Sequence, residues 1–111
     1  MIPAALAARA AAAGYVAVLA DLGTWGARAR LFAERDPAER TIRIDRGALA
    51  QVRERAGDEA AEAFLAYAVA HELAHAEDRG GGRGADERRA HARAEAESGV
   101  SAASFERWFA P

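Results

Sequence analysis

Residues 60–76 read AAEAFLAYAVAHELAHA, a run of strong helix formers with no glycine or proline that ends in His71-Glu72-Leu73-Ala74-His75. Such a run predicts a helix. On a helix, positions i and i+4 share one face with Cβ atoms about 5–6 Å apart, so both imidazoles reach a single ion, and that geometry suits zinc. Glu72 follows His71 by one residue, about 100° around the helix, so it flanks the ion without ligating it and can take a proton from a water on the metal. The chain has only three histidines, and two fall at this spacing inside an otherwise apolar run, where an unpartnered imidazole is costly to bury. The pattern therefore points to the layout of a zinc peptidase rather than to a polar face or a pair of core histidines.

Downstream, the helix that begins with Asp58 as N-cap is expected to run to about Asp78, where Gly80-Gly81-Gly82-Arg83-Gly84 breaks it. Ala85 to Glu97 resumes as a helix that folds back on the first. No Lys-Ser/Thr follows the glycines and they leave a helix rather than a strand, so they read as a hinge between ligand-bearing helices, not a phosphate cradle. Ser101 and Ser104 offer caps for a last short helix. Its Phe105, Trp108 and Phe109 recur at helical spacing, as a packed face, a plug in the cleft or a dimer contact.

Upstream, Pro3 and the alanines to Ala13 predict a first helix over 3–13, capped by Gly14. Tyr15 to Leu19 reads as a first strand, Gly23 to Gly26 as a turn around Trp25, and Ala27 to Ala33 as a second strand with Arg28 and Arg30 outward. Arg35 to Ala38 is a turn signal. Thr41-Ile42-Arg43-Ile44-Asp45 alternates strictly, a third strand with Ile42 and Ile44 inward, and Arg46 to about Ala56 is helical. The large core side chains expected are Leu6, Val16, Val18, Phe32, Ile42, Ile44, Phe64, Leu65, Val69 and Leu73. The fold class is α+β: a small three-stranded, mostly antiparallel sheet packed on an active-site helix and a ligand-bearing helix.

At 111 residues the chain makes one domain, 1–111, with room for one site. A formal net charge of −2, with arginine as its only strongly basic residue, argues against nucleic acid as a partner. The weaker opposing option is duplex binding through Arg28, Arg30, Arg43 and Arg46. Cysteine is absent, so any zinc is held by nitrogen and oxygen, which fits a catalytic rather than a structural site. Met1 to Ala13 lacks the apolar core of a signal peptide and no stretch approaches a membrane span, so a cytoplasmic protein is expected.

Catalytic zinc takes three protein ligands and keeps a fourth position for water. Downstream of His75 the candidates are Asp86, Glu87 and His91, with Asp86 also suited to capping its helix and Glu87 to complementing the helix dipole. Spacing does not choose among them.

Arg40 to Asp45 (RTIRID), Ala70 to Ala76 (AHELAHA) and Glu87 to His91 (ERRAH), in the order helix, three short strands, motif helix, second helix, resemble the gluzincin peptidases, in particular the ImmA/IrrE family. The likeness spans about Tyr15 to Glu97, and His-Glu-x-x-His is its specific element. The resemblance implies a minimal zincin-like fold with His71, His75 and Glu87 as zinc ligands and Glu72 as the catalytic base. It also implies metalloendopeptidase activity on a protein or peptide substrate, typically a transcriptional repressor. That family commonly has Asn or Asp four residues beyond the ligand glutamate. Here His91 stands there, either orienting Glu87 or His71 or replacing Glu87 as ligand.

A substrate held extended along an exposed sheet edge would pair main chain to main chain. Candidates to stabilise the oxyanion are Arg83, Arg88, Arg89, Tyr15 and Tyr67. The alternative reading is a catalytically inactive zincin-fold module that binds or regulates a protein partner.

Overall fold

The computed structural model describes residues 2–22, 32–76 and 83–110. The order of elements is α1 (Ala4–Ala12), β1 (Val16–Ala20), β2 (Ala33–Asp36), β3 (Thr41–Asp45), α2 (Arg46–Ala56), α3 (Asp58–Ala76), α4 (Arg83–Ser98) and α5 (Ala102–Phe109). The result is an α+β fold with a three-stranded mixed sheet and, among the described residues, five helices.

The first helix, expected over 3–13, covers Ala4–Ala12, with Pro3 as its cap and the Pro3 carbonyl accepting from the Leu6 and Ala7 amides. It ends where Gly14 turns the chain at a φ of 84°. A side chain there would collide with the Arg40 guanidinium, 2.5 Å from the position of a Cβ. Arg40 donates to the carbonyls of Gly14 and Ala13, closing the free C-terminal end of α1.

The strand order β1-β3-β2 puts the alternating Thr41–Asp45 segment in the middle. β1 pairs with it in parallel and β2 antiparallel, so the sheet is evenly mixed where a mostly antiparallel one was expected. The second strand also differs from expectation. It occupies Ala33–Asp36, with the turn at residues 37–40, whereas the expected strand over 27–33 and the turn at 23–26 fall largely outside the described residues. Arg43 explains the shift: it holds Glu34 and Asp36 at 3.2 and 3.3 Å across the β2–β3 pair, extending a segment whose Asp-Pro reads locally as a turn.

Ile42 and Ile44 are fully buried, as their alternation requires. On β1 the inward face is Tyr15 and Ala17, not Val16 and Val18. Val16 is 62% exposed and Val18 only half-buried. Both residue sets alternate, so periodicity alone could not select the face. The pairing of Ala17 with Ile42 and Leu19 with Ile44 sets it.

Asp45 closes β3 and caps α2: one carboxylate oxygen accepts from the Ala48 amide at 3.1 Å, the other from the Leu22 amide at 3.1 Å. Gly57, at a φ of 93°, separates α2 from α3. Its carbonyl accepts from the Ala61 amide, so Asp58 is the first residue of α3 rather than its cap.

α3 is the centre of the molecule. Phe64, Leu65, Ala68, Val69 and Leu73 join Ile42, Ile44, Leu49 and Val52 in one core cluster, while Tyr67 and Ala70 join Ala94 and Val100 on the side of α4. Leu6 and Phe32 pack against the core half-buried. Full burial of side chains such as Phe64, Ile42 or Leu65 contributes about 1.5–3 kcal/mol each. The aromatic face of α5 packs on this cluster, as expected, with Phe109 stacked on Phe32 at 4.1 Å between ring centroids. Ser101 caps α5 by accepting from the Ser104 amide. No helix of the described residues is long and apolar enough to cross a membrane.

Candidate metal centre

Two helices supply the site. α3 offers Tyr67, His71 and His75 at four-residue steps, hence on one face, and α4 offers Asp86, Glu87 and His91. Ala70, Ala74, Ala90 and Ala94 on these two helices are all buried. With alanine methyls at these four positions and Tyr67 as the large side chain beside them, the helix axes can approach toward the short end of the usual 8–10 Å range. A short aspartate on one helix thereby reaches a histidine on the other.

One ligand atom each from His71, His75 and Glu87 lies within 4.8 Å of the other two. Glu87 Oε1 is 2.9 Å from His75 Nε2, and its Oε2 is 3.7 Å from His71 Nε2. His71 Nε2 is buried without a hydrogen-bond partner among the described residues. An orphaned nitrogen in a buried position is costly unless something else engages it. Two imidazole nitrogens and a carboxylate oxygen at this separation suit a divalent cation of the zinc type, with coordination left over for water.

Asp86 has a role its position in the sequence concealed. α4 begins at Arg83, so Asp86 sits in its first turn instead of capping it. Its Oδ2 accepts from His75 Nδ1 at 2.6 Å and its Oδ1 from Arg89 at 3.2 Å. The His75 hydrogen bond, followed by Arg89, holds the Asp86 carboxyl below the usual carboxylate range. This bond presents His75 Nε2 to the cluster. The expected hinge lies mostly outside the described residues, at 80–82, and nothing in residue spacing says which carboxylate would face His75 across it.

His91 stands outside the gathered three. Its Nδ1 is 2.5 Å from the Tyr67 hydroxyl and its Nε2 is 3.5 Å from Glu87 Oε2. Burial, then the neighbouring His71, hold its pKa below the ordinary histidine value. Burial also raises the pKa of Tyr67, reinforced by Glu95 and Glu87.

These residues line a cleft of about 420 Å³. Its apolar lining includes Phe32, Phe64 and Phe105, its polar lining His71, Glu72, His75 and Glu87, and β2 contributes Ala33 and Glu34. Phe105 thus packs and walls the cleft at once. Glu72 lies next to the cluster, its Oε1 3.7 Å from His71 Nδ1.

Of the expected oxyanion partners, Tyr67 alone is on the cleft wall. Tyr15 is buried and accepts from Arg35, Arg88 is exposed, Arg89 is held by Asp86, and the Arg83 side chain lies outside the described residues. For the nucleic-acid option, Arg43 and Arg46 are paired to acids, and Arg28 and Arg30 lie outside the described residues. Comparison with family models, with curated proteins and with solved structures finds no match for this chain.

Proposed function

We propose that the chain is a zinc-dependent endopeptidase of the gluzincin type, with a zincin-like fold, acting on a protein or peptide substrate. The observation that carries the reading is the buried, unpartnered His71 Nε2, 3.7 Å from Glu87 Oε2, in a group where one ligand atom each from His71, His75 and Glu87 lies within 4.8 Å of the others. His71, His75 and Glu87 would hold the ion. Zinc in such a site acts as a Lewis acid toward a carbonyl and brings the pKa of water toward 7.

The chain's own residues then divide the remaining work. Glu72, on the adjoining helical face and lining the same cleft, takes the proton from the attacking water and returns it to the departing amine. Asp86, accepting from His75 Nδ1, turns His75 Nε2 toward Glu87 and would leave its lone pair for the ion. β2 would orient the substrate: among the described residues it is an edge of the sheet, and the bond from the Asp45 amide to the Phe32 carbonyl sets the alternation along the β2–β3 pair. Main-chain groups of Ala33 and Arg35 therefore point away from β3, where an extended segment can pair with them above the cleft. The substrate class follows the resemblance noted above, a repressor cut in an extended loop.

The experiment is metal analysis combined with hydrolysis of a peptide library by wild type and Glu72→Gln. Wild type should carry one zinc per chain, and the variant should keep the metal while losing about 10²–10⁴-fold in turnover. Equal effects of the two proteins in every assay would replace the peptidase with a non-catalytic binding module. A wild type that takes up no zinc removes the metal centre itself.

A further inference from the structure

We propose that Tyr67 and His91 form a brace that fixes Glu87 as the third ligand. The Tyr67 hydroxyl donates to His91 Nδ1, and His91 Nε2–H then faces Glu87 Oε2. The inference rests on reading His71, His75 and Glu87 as the ligand set.

His91 Nε2 lies 3.5 Å from a carboxylate oxygen, and a carboxylate favours a donor there, so the proton sits on Nε2. Nδ1 is then a bare acceptor, and the phenol 2.5 Å away is its donor. Each partner fixes the other's orientation: a hydroxyl with a single proton and a neutral ring with one donor and one acceptor.

Glu87 needs such a partner more than the histidines do. His71 and His75 are mostly enclosed, whereas the Glu87 side chain is 47% exposed and retains rotamer freedom that ligation would have to remove. Tyr67 is the natural anchor. Its ring is buried in the α3–α4 seam with Ala70, Ala94 and Val100 and lies nearly parallel to His71, with 12° between planes. The brace thus ties the most exposed of the three ligands, through the exposed His91, to a ring buried in the seam. It is the counterpart, one helical turn or two away, of the bond by which Asp86 holds His75.

The test titrates the metal-free full chain with zinc against a competing chelator. It compares wild type, Tyr67→Phe, His91→Ala, His91→Gln and the double variant Tyr67→Phe/His91→Ala. Removing a partner of a ligating group typically costs about 10–100-fold in affinity. His91→Ala should fall in that range at unchanged stoichiometry, Tyr67→Phe should lose less, and His91→Gln, which keeps a donor toward Glu87, should recover part. The double variant should bind no more weakly than His91→Ala, because both residues act through one path.

Nitrogen-15 NMR of the metal-free chain should find His91 as the Nε2–H tautomer in wild type and mixed in Tyr67→Phe. Affinity within two-fold of wild type in His91→Ala, additive losses in the double variant, or an Nδ1–H tautomer in wild type would overturn the brace. Stoichiometry falling to zero in His91→Ala alone would make His91 a ligand and overturn it as well. A wild type that binds no zinc takes down the site and the brace together.

Discussion

The two sides of α3 are built on opposite plans. Toward the sheet and α2 it presents Phe64, Leu65, Val69 and Leu73 to a core that includes Ile42, Ile44 and Val52. Toward α4 the large side chains give way to alanines, and the contacts that span the seam are polar: Tyr67 to His91, His75 to Asp86 and His75 to Glu87. A buried methylene contributes about 0.8 kcal/mol, so a seam of alanines binds weakly for its length. The sheet side fixes the fold and the α4 side fixes the ligands. An ion bound across that seam would therefore add to the attachment of α4 as well as to any chemistry.

The largest expected effect breaks the first side. Phe64→Ala removes a fully buried ring that also contacts Phe105 and Phe109 at 6.2 and 5.6 Å between centroids. It should cost about 3–5 kcal/mol in urea unfolding. A loss under 1 kcal/mol would mean that the sheet side does not dominate stability. Next comes Ala90→Leu, which inserts a bulky side chain into the seam at a position with no exposed surface. Overpacking should cost about 1–3 kcal/mol and, by parting the helices, abolish zinc uptake. Uptake at wild-type affinity would show that close approach of α3 and α4 is not what gathers the ligands.

Asp86→Ala isolates a polar rung. It should weaken zinc binding about 10–100-fold, since His75 loses the acceptor that sets its ring, with little change in melting temperature of the metal-free chain. A large drop in metal-free melting temperature would instead assign Asp86 to holding the helices together. An unchanged affinity would assign it no part in either.

These contrasts also explain what could be read from residues alone. The motif helix, the strand Thr41–Asp45 and the inward Ile42 and Ile44 were legible because period and composition agree there. The β1 face was not: Tyr15-Val16-Ala17-Val18 is apolar at every position, and only pairing with β3 turns Ala17 inward and leaves Val16 in solvent. His71 and His75 could be paired by helical geometry. Asp86 and His91 could not be assigned, because their partners lie across an interhelical gap whose width depends on buried alanines elsewhere in the chain. Tyr67 illustrates the limit: it is one of five oxyanion candidates, and nothing in its spacing pairs its hydroxyl with His91.

The smallest expected effect sharpens the comparison from the sheet's outer surface, where polar contacts carry no chemistry. Asp36 accepts from the Glu39 amide at 3.0 Å and pairs with Arg43 at 3.3 Å. The Glu39 hydrogen bond, then Arg43, lower its pKa from 3.8. Because the folded value is the lower one, the carboxylate stabilises the fold at pH above the unfolded value, and that contribution disappears as pH falls through the folded one. The stability difference between wild type and Asp36→Asn, followed by urea unfolding, should be constant from pH 7 to about 5 and shrink below about 4. It should also diminish in high salt, since the pair is only half-buried and reached by solvent. The His75–Asp86 bond involves the same residue type but is more enclosed, so 1 M salt should affect the Asp36 contact more than zinc affinity attributable to Asp86. Equal salt sensitivity of the two would mean that the α3–α4 seam is as wet as the outer face of the sheet, and the division between the two sides of α3 would not hold.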